Sequence, residues 1–414
     1  MSSTRKRNIV VLAVVVLLVL PLLAACGNGD DEDETPQSTD VVITIGNLTD
    51  KSGPTSNALS IMDMALEDIV DYFNDKNLIP GVTLKVVNYD TQYDPSRHIS
   101  GYEWLREKGA DLIYSADPNA IETLKSRADA DEFVMFASSA QKVLTEEPGY
   151  AFTASTYPVD LYYTFLDWIA DNDWDYVNKG PAKIGMAGWT TAINVAMADG
   201  MRGYCTKNSD KFEWEGSYLI NMGFNWTHEV DALKDCDYVL PPVGSFVTFV
   251  KEYKSIGGKG KFFGADPHAA FLSLISDAHL WGKIDGMLFV RESEFWNEKG
   301  EFIDFVNKLV NDNHPDKANK IRRAGVSYMV VSHDLIMLEI IQKAAEAVGP
   351  ENIDSQALYE AAQSYSLVID GVQRYSFTDT KRFGCDKVGI YEAVGAEETI
   401  IRVEPEWISL IWVH

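Results

Sequence analysis

Basic residues are scarce: 36 Lys and Arg stand against 62 Asp and Glu, a formal charge of −26. A surface of that sign repels nucleic acid and anionic lipid headgroups, so neither is an expected partner. The acids are spread along the whole chain, which points to solubility and not to one cationic ligand. Cysteine is rarer still, 4 residues in 414, and no Cys-x-x-Cys occurs, which argues against zinc or dithiol chemistry. The 7 histidines are scattered, with none at metal-ligand spacing. Gly-x-Ser-x-Gly, His-Glu-x-x-His, a Walker-type Gly-Lys-Ser/Thr and a complete Gly-x-Gly-x-x-Gly are all missing. Catalysis therefore has no positive support, and neither a metal nor a cofactor is expected.

Apolar residues are plentiful, 46% with 10 Trp, 19 Tyr and 18 Phe, enough for two cores in a chain of 414 residues. Arg5-Lys6-Arg7 precedes an apolar run from Ile9 to Leu23, and Leu23-Ala24-Ala25-Cys26 follows. This order describes a secretory signal over residues 1–25. The run is shorter than the roughly 20 residues of a spanning helix, and no other segment is long and apolar enough to cross a bilayer. The cysteine directly after Leu-Ala-Ala resembles the bacterial lipobox, in which that thiol receives a diacylglyceryl group and becomes the first mature residue. Removing residues 1–25 leaves 33 basic against 62 acidic residues, a charge of −29. Residues 26–40, with Asp30-Asp31-Glu32-Asp33-Glu34, read as a disordered acidic tether without the alternating ligands and turn glycine of a calcium loop. Of the remaining Cys205, Cys236 and Cys385, the first two end predicted helices, so they could be bridged or remain buried thiols.

From Val41 the chain alternates. Val41–Gly46 is an apolar run of strand length, and Asn47–Thr55 is a polar, turn-forming loop. Leu59, Met62, Leu66, Ile69 and Phe73 then share one helix face, and Val82–Val86 alternates as a strand. Strand, helix and strand make a βαβ unit with parallel strands. Further strands are expected at Ala110–Tyr114 and Phe133–Ala137, then in a second series at Lys183–Ala187, Tyr218–Ile220, Tyr238–Leu240, Lys261–Gly264 and Met287–Val290. Helices lie between them, and residues 372–414 turn β-rich. The fold class is α/β, with two doubly wound parallel-sheet lobes.

The opening order of strand, "NLTDKSGPT", amphipathic helix and "GVTLKVVNYDTQYDPSR" resembles the type I periplasmic solute-binding proteins of ABC importers, the branched-chain amino acid (leucine-binding-like) group above all. The likeness extends over nearly the whole mature chain. It implies a three-crossover hinge, with crossings near Thr153–Thr156, Val290–Glu292 and Asp370–Tyr375. Lobe I would then hold residues 41–154 and 291–370, and lobe II residues 155–290 and 371–414. It also implies a monomer outside the cytoplasmic membrane, lipid-anchored through Cys26, that closes on a small solute and docks on an ABC permease. A ligand-sensing receptor of the same fold and an extracellular hydrolase are the alternatives.

Ligands of open parallel sheets bind beyond the carboxyl ends of the strands. That rule selects the loops Thr49–Thr55, Ser115–Asn119 and Ser138–Ser139 in the first lobe. In the second it selects Trp189–Thr191, including Thr190, with Val243–Ser245 and Asp266–His268. The resemblance implies that Ser115, Ser138 and Ser139 meet a ligand carboxylate and that Asp266 meets an α-amino group. Ordinary helix capping is the competing role for each. Where the family often has a polar residue and then a Tyr four positions on, this chain has Trp189 and Ile193. Trp189 could be a stacking wall or could pack within the lobe; Asp117 could suit a more positive ligand or cap the following helix.

Overall fold

In a computed structural model that describes residues 40–413, the chain forms two α/β lobes. The expected leader, Cys26 and almost all of the tether lie outside the described residues. The first sheet has the order β2-β1-β3-β4-β5, built from β1 (Val41–Thr49), β2 (Val82–Asp90), β3 (Leu112–Ser115), β4 (Met135–Ala137) and β5 (Ala151–Thr153). All its pairings are parallel. Ile43 and Ile45 of β1 are buried, as are Leu59, Leu66, Ile69 and Phe73 on the covering helix Ser56–Asp75. Each such side chain contributes about 1.5–3 kcal/mol when it leaves water.

The same helix buries two carboxylates. Asp63 accepts from Asn47 Nδ2 at 2.8 Å and Thr49 Oγ1 at 3.0 Å, which locks the helix to the end of β1. Asp68 accepts from Tyr328 and from His314 Nε2, so residues far along the chain return to complete this lobe. Tyr72 meets Phe305 edge to face at 5.1 Å on the same side.

The second sheet contains β6 (Ala182–Trp189), β7 (Phe212–Ile220), β8 (Tyr238–Leu240), β9 (Lys261–Ala265) and β10 (Leu288–Arg291). A hairpin follows, β11 (Ser366–Ile369) and β12 (Val372–Ser376), and then β13 (Lys387–Val394), β14 (Thr399–Arg402) and β15 (Ile408–Ser409). The order is β14-β13-β10-β9-β8-β6-β7, with β15 beside β13. β6 to β10 pair in parallel, whereas β13 joins β10 antiparallel, so the β-rich tail finishes the sheet. Helices Pro158–Asn172 and Ala192–Lys207 pack closely on one another. A Cβ at Gly200 would stand 2.9 Å from the Val159 Cα, so only glycine allows that approach.

The chain passes between the sheets after β5, after β10 and after β12. The passages touch. Thr153 donates its N–H to Arg382 O at 3.0 Å and accepts from Gly384 N at 2.6 Å. Cys205, Cys236 and Cys385 are all free thiols in buried positions. Burial pushes the first two up to about 12. No helix among the described residues is long and apolar enough to cross a membrane.

Candidate functional site

The carboxyl ends of the two sheets face one cleft of about 1390 Å³, its open mouth included. Its walls are mostly apolar: Leu59, Met62 and Tyr93 on one side, Trp189, Met197 and Phe271 on the other. The polar groups arrive on strand-end loops, since exposed N–H and hydroxyl groups gather where helices begin.

Four of the residues singled out in the sequence meet here. Ser138 and Ser139 follow β4 and line the cleft half-buried. Trp189 ends β6, and its indole N–H donates to Gly223 O at 2.8 Å while its ring stands edge-on to Phe224 at 5.8 Å. A Cβ on Gly244 would lie 2.5 Å from the Trp189 ring, so the β8 loop passes directly over the indole. Asp266 follows β9. Its carboxylate accepts from Arg291 Nε at 2.8 Å and from the Glu292 N–H at 2.7 Å, and keeps 26% of its side chain exposed.

The other three stand off the cleft wall, for physical reasons. The Ser115 hydroxyl is spent inside its own loop, donating to Leu48 O at 2.6 Å and accepting from Asp117 N. Asp117 is buried. It caps helix Pro118–Ala130 through Asn119 N at 2.9 Å and pairs with His98 Nε2 at 3.0 Å. Thr190 is exposed, with its N–H on Ile220 O at 2.7 Å, and Thr191 takes its place on the wall.

A group that sequence reasoning passed over occupies the floor. Glu292 Oε1 accepts from Ser155 Oγ at 2.8 Å and Thr156 N at 2.9 Å. Its backbone carbonyl accepts from Arg374 and, at 2.9 Å, from the Tyr375 hydroxyl. All three passages between the lobes therefore converge on this residue. Burial, reinforced by the Asp266 charge, pushes the Glu292 carboxyl up to about 8. Across from it His333 lies with Nε2 3.9 Å from Oε2, and burial holds this imidazole down at about 4. Beneath the Asp266 turn, His268 accepts from Ala265 N at 3.2 Å and donates through Nε2 to Pro241 O at 2.8 Å, which fixes its neutral tautomer and ties the β8 and β9 loops. The sequence hinted at the floor twice, in the charges Arg291-Glu292-Ser293-Glu294 set directly after an apolar strand and in the crossing expected near Val290–Glu292.

Known proteins are consistent with this geometry. The sequence matches the periplasmic binding protein family over residues 42–395. A branched-chain amino acid ABC transporter protein from Thermus thermophilus, solved with bound valine, superposes with a TM-score of 0.75 at 19% identity, covering 89% of this chain and 97% of that one. A solute-binding protein from R. palustris in complex with benzoate gives 0.74 at 13% identity, with 90% and 98% covered. A fatty acid ABC transporter substrate-binding protein from Thermomonospora curvata gives 0.71 at 16%, with 89% and 92% covered. No curated protein matches in sequence. The likeness to solved structures is one of fold. The family match, which spans most of the chain, shows that this protein belongs to the periplasmic binding protein family, as an extracytoplasmic binding protein and not an enzyme.

Proposed function

We propose that the protein is a lipoprotein, anchored through Cys26, that captures a small polar solute of amino acid or amide-like type between its lobes for import. The observation that carries this reading is the arrangement of the cleft. Hydroxyl-bearing Ser138 and Ser139 stand on one wall and the Asp266 carboxylate on the other, with apolar surface between them. A carboxylate or carbonyl would take the hydroxyl side, a hydrogen-bond donor would take Asp266, and the apolar body would fill the middle. Closure then proceeds by rotation about the three passages, which removes the solute from water. A mobile monomer held by a lipid and the acidic tether would carry the closed form to the permease.

Thermal unfolding of the protein against amino acids, amides, ureas and small aromatic acids tests this. A ligand at 100-fold above its dissociation constant adds about 2.7 kcal/mol of stability, a shift of several degrees. A panel that gives no shift at all rejects capture of this solute class. Mass spectrometry of protein from membranes tests the anchor, where an unmodified Cys26 thiol would exclude it.

A further inference from the structure

The cleft holds two carboxyl groups, and their surroundings differ. The Asp266 charge is answered from behind by Arg291, whose side chain has no solvent exposure and also holds Ser293 Oγ at 2.9 Å. Glu292 has no such partner on its carboxyl. Oε1 takes two neutral donors, and the nearest base to Oε2 is the His333 imidazole at 3.9 Å, beyond hydrogen-bonding distance. Arg374 makes no hydrogen bond to this carboxyl, since its guanidinium is engaged by the Glu292 backbone carbonyl and by Glu294 Oε1 at 2.6 Å; its charge offsets only part of the upward push on Glu292. The remaining titratable groups nearby are the Tyr375 hydroxyl and the Cys385 thiol, both held neutral by burial. Among the described residues, no Lys or Arg lines the cleft.

We infer that Glu292 is a second ligand-reading residue, and that with Asp266 it selects a solute bearing a protonated amine on an apolar body, a carboxylate being dispensable. The inference rests on solute capture in this same cleft. An ammonium group between the two carboxyls would supply the missing opposite charge, and Tyr93, Trp189 and Phe271 would cover the apolar body. An anionic head would find only neutral donors and would face two acids, an arrangement that costs affinity. Because burial pushes the Glu292 carboxyl up to about 8, amine binding near neutral pH should ionise it: R–NH3+ enters, Glu292 passes from COOH to COO−, and one proton leaves to the buffer.

Isothermal titration with phenethylamine, L-phenylalanine and phenylacetate separates the possibilities, since the three share one body and differ in charged groups. Phenethylamine and L-phenylalanine should bind alike, and phenylacetate at least about tenfold more weakly. Amine affinity should rise between about pH 6 and pH 8, with heats that vary with buffer ionisation because a proton is released. Glu292→Gln should lose about tenfold for the amine, along with the pH dependence and proton release, and Glu292→Asp should recover part of it. The wild-type pH profile and proton count stand without either variant. Equal amine affinity in wild type and Glu292→Gln overturns the inference. So does phenylacetate binding at or above the amine, which would leave solute capture standing. Absence of binding by all three overturns the amine assignment, and the wider panel then judges capture itself.

Discussion

Arg291 donates to Asp266 from a position with no solvent exposure of its side chain, and its Nη1 has no hydrogen-bond partner among the described residues. Asp266 is therefore part of the lobe's packing as well as of the cleft. Removing one member of a buried pair costs about 3–5 kcal/mol; the partial exposure of Asp266 reduces the expected loss for Asp266→Ala to about 2 kcal/mol. Asp266→Asn keeps one acceptor oxygen, enough for either Arg291 Nε or the Glu292 N–H but not both, and should cost less than Ala. Urea unfolding of both variants checks this, and an Ala variant as stable as wild type would show that the pair adds nothing.

The cleft carboxyl and the buried histidines act on stability in opposite directions. Glu292 is raised from 4.5 to about 8, so the folded state binds the extra proton and this group's contribution is lost as pH climbs through that window. His268 and His333 are lowered from 6.5 to about 4, so their contribution is present above pH 6.5 and lost as pH falls towards 4. Unfolding free energy measured across pH should fall less steeply on the alkaline side in Glu292→Gln than in wild type. Parallel alkaline limbs would contradict this.

Gly244→Ala should push the Trp189 ring out of place, because the added Cβ would stand 2.5 Å from it and the indole is held by Gly223 O. Overpacking of this kind costs about 1–3 kcal/mol. The indole emission should shift and ligand affinity should fall together. An unchanged spectrum would place Trp189 outside the strained contact.

The three thiols should resist alkylation by iodoacetamide in the folded protein and react fully in denaturant, since burial keeps Cys205, Cys236 and Cys385 protonated and covered. Rapid labelling of any of them under native conditions would contradict the burial.

The lobes were legible in the sequence because periodicity is a local signal. Leu59, Leu66 and Phe73 recur at helical spacing, and Val82–Val86 alternates, whatever the rest of the chain does. Loop chemistry was only half legible. Ser115 and Ser138 both follow short apolar strands, yet Ser115 gives its hydroxyl to Leu48 O while Ser138 stays on the cleft wall. Nothing within either loop distinguishes them; the difference lies in which backbone carbonyl the neighbouring strand offers. The place of Glu292 at a crossing was legible from the family likeness, but the role of its carboxyl was not, for a related reason. A carboxylate after a strand reads as a surface charge until Ser155, Thr156, Arg374 and Tyr375 arrive around it from distant parts of the chain.

The antiparallel union of β10 with β13 sets an order of assembly. The five strands of the first sheet are contiguous in residues 41–153 and can pair as they emerge. β10 gains its outer neighbour only when residues 387–394 are available, after the whole segment 292–386 has been laid down. Until then its outer edge is unpaired and apolar, the kind of edge that invites another chain. A chain ending before Lys387 would leave that edge open for good, so the last 28 residues act as a seal against association as much as part of a lobe.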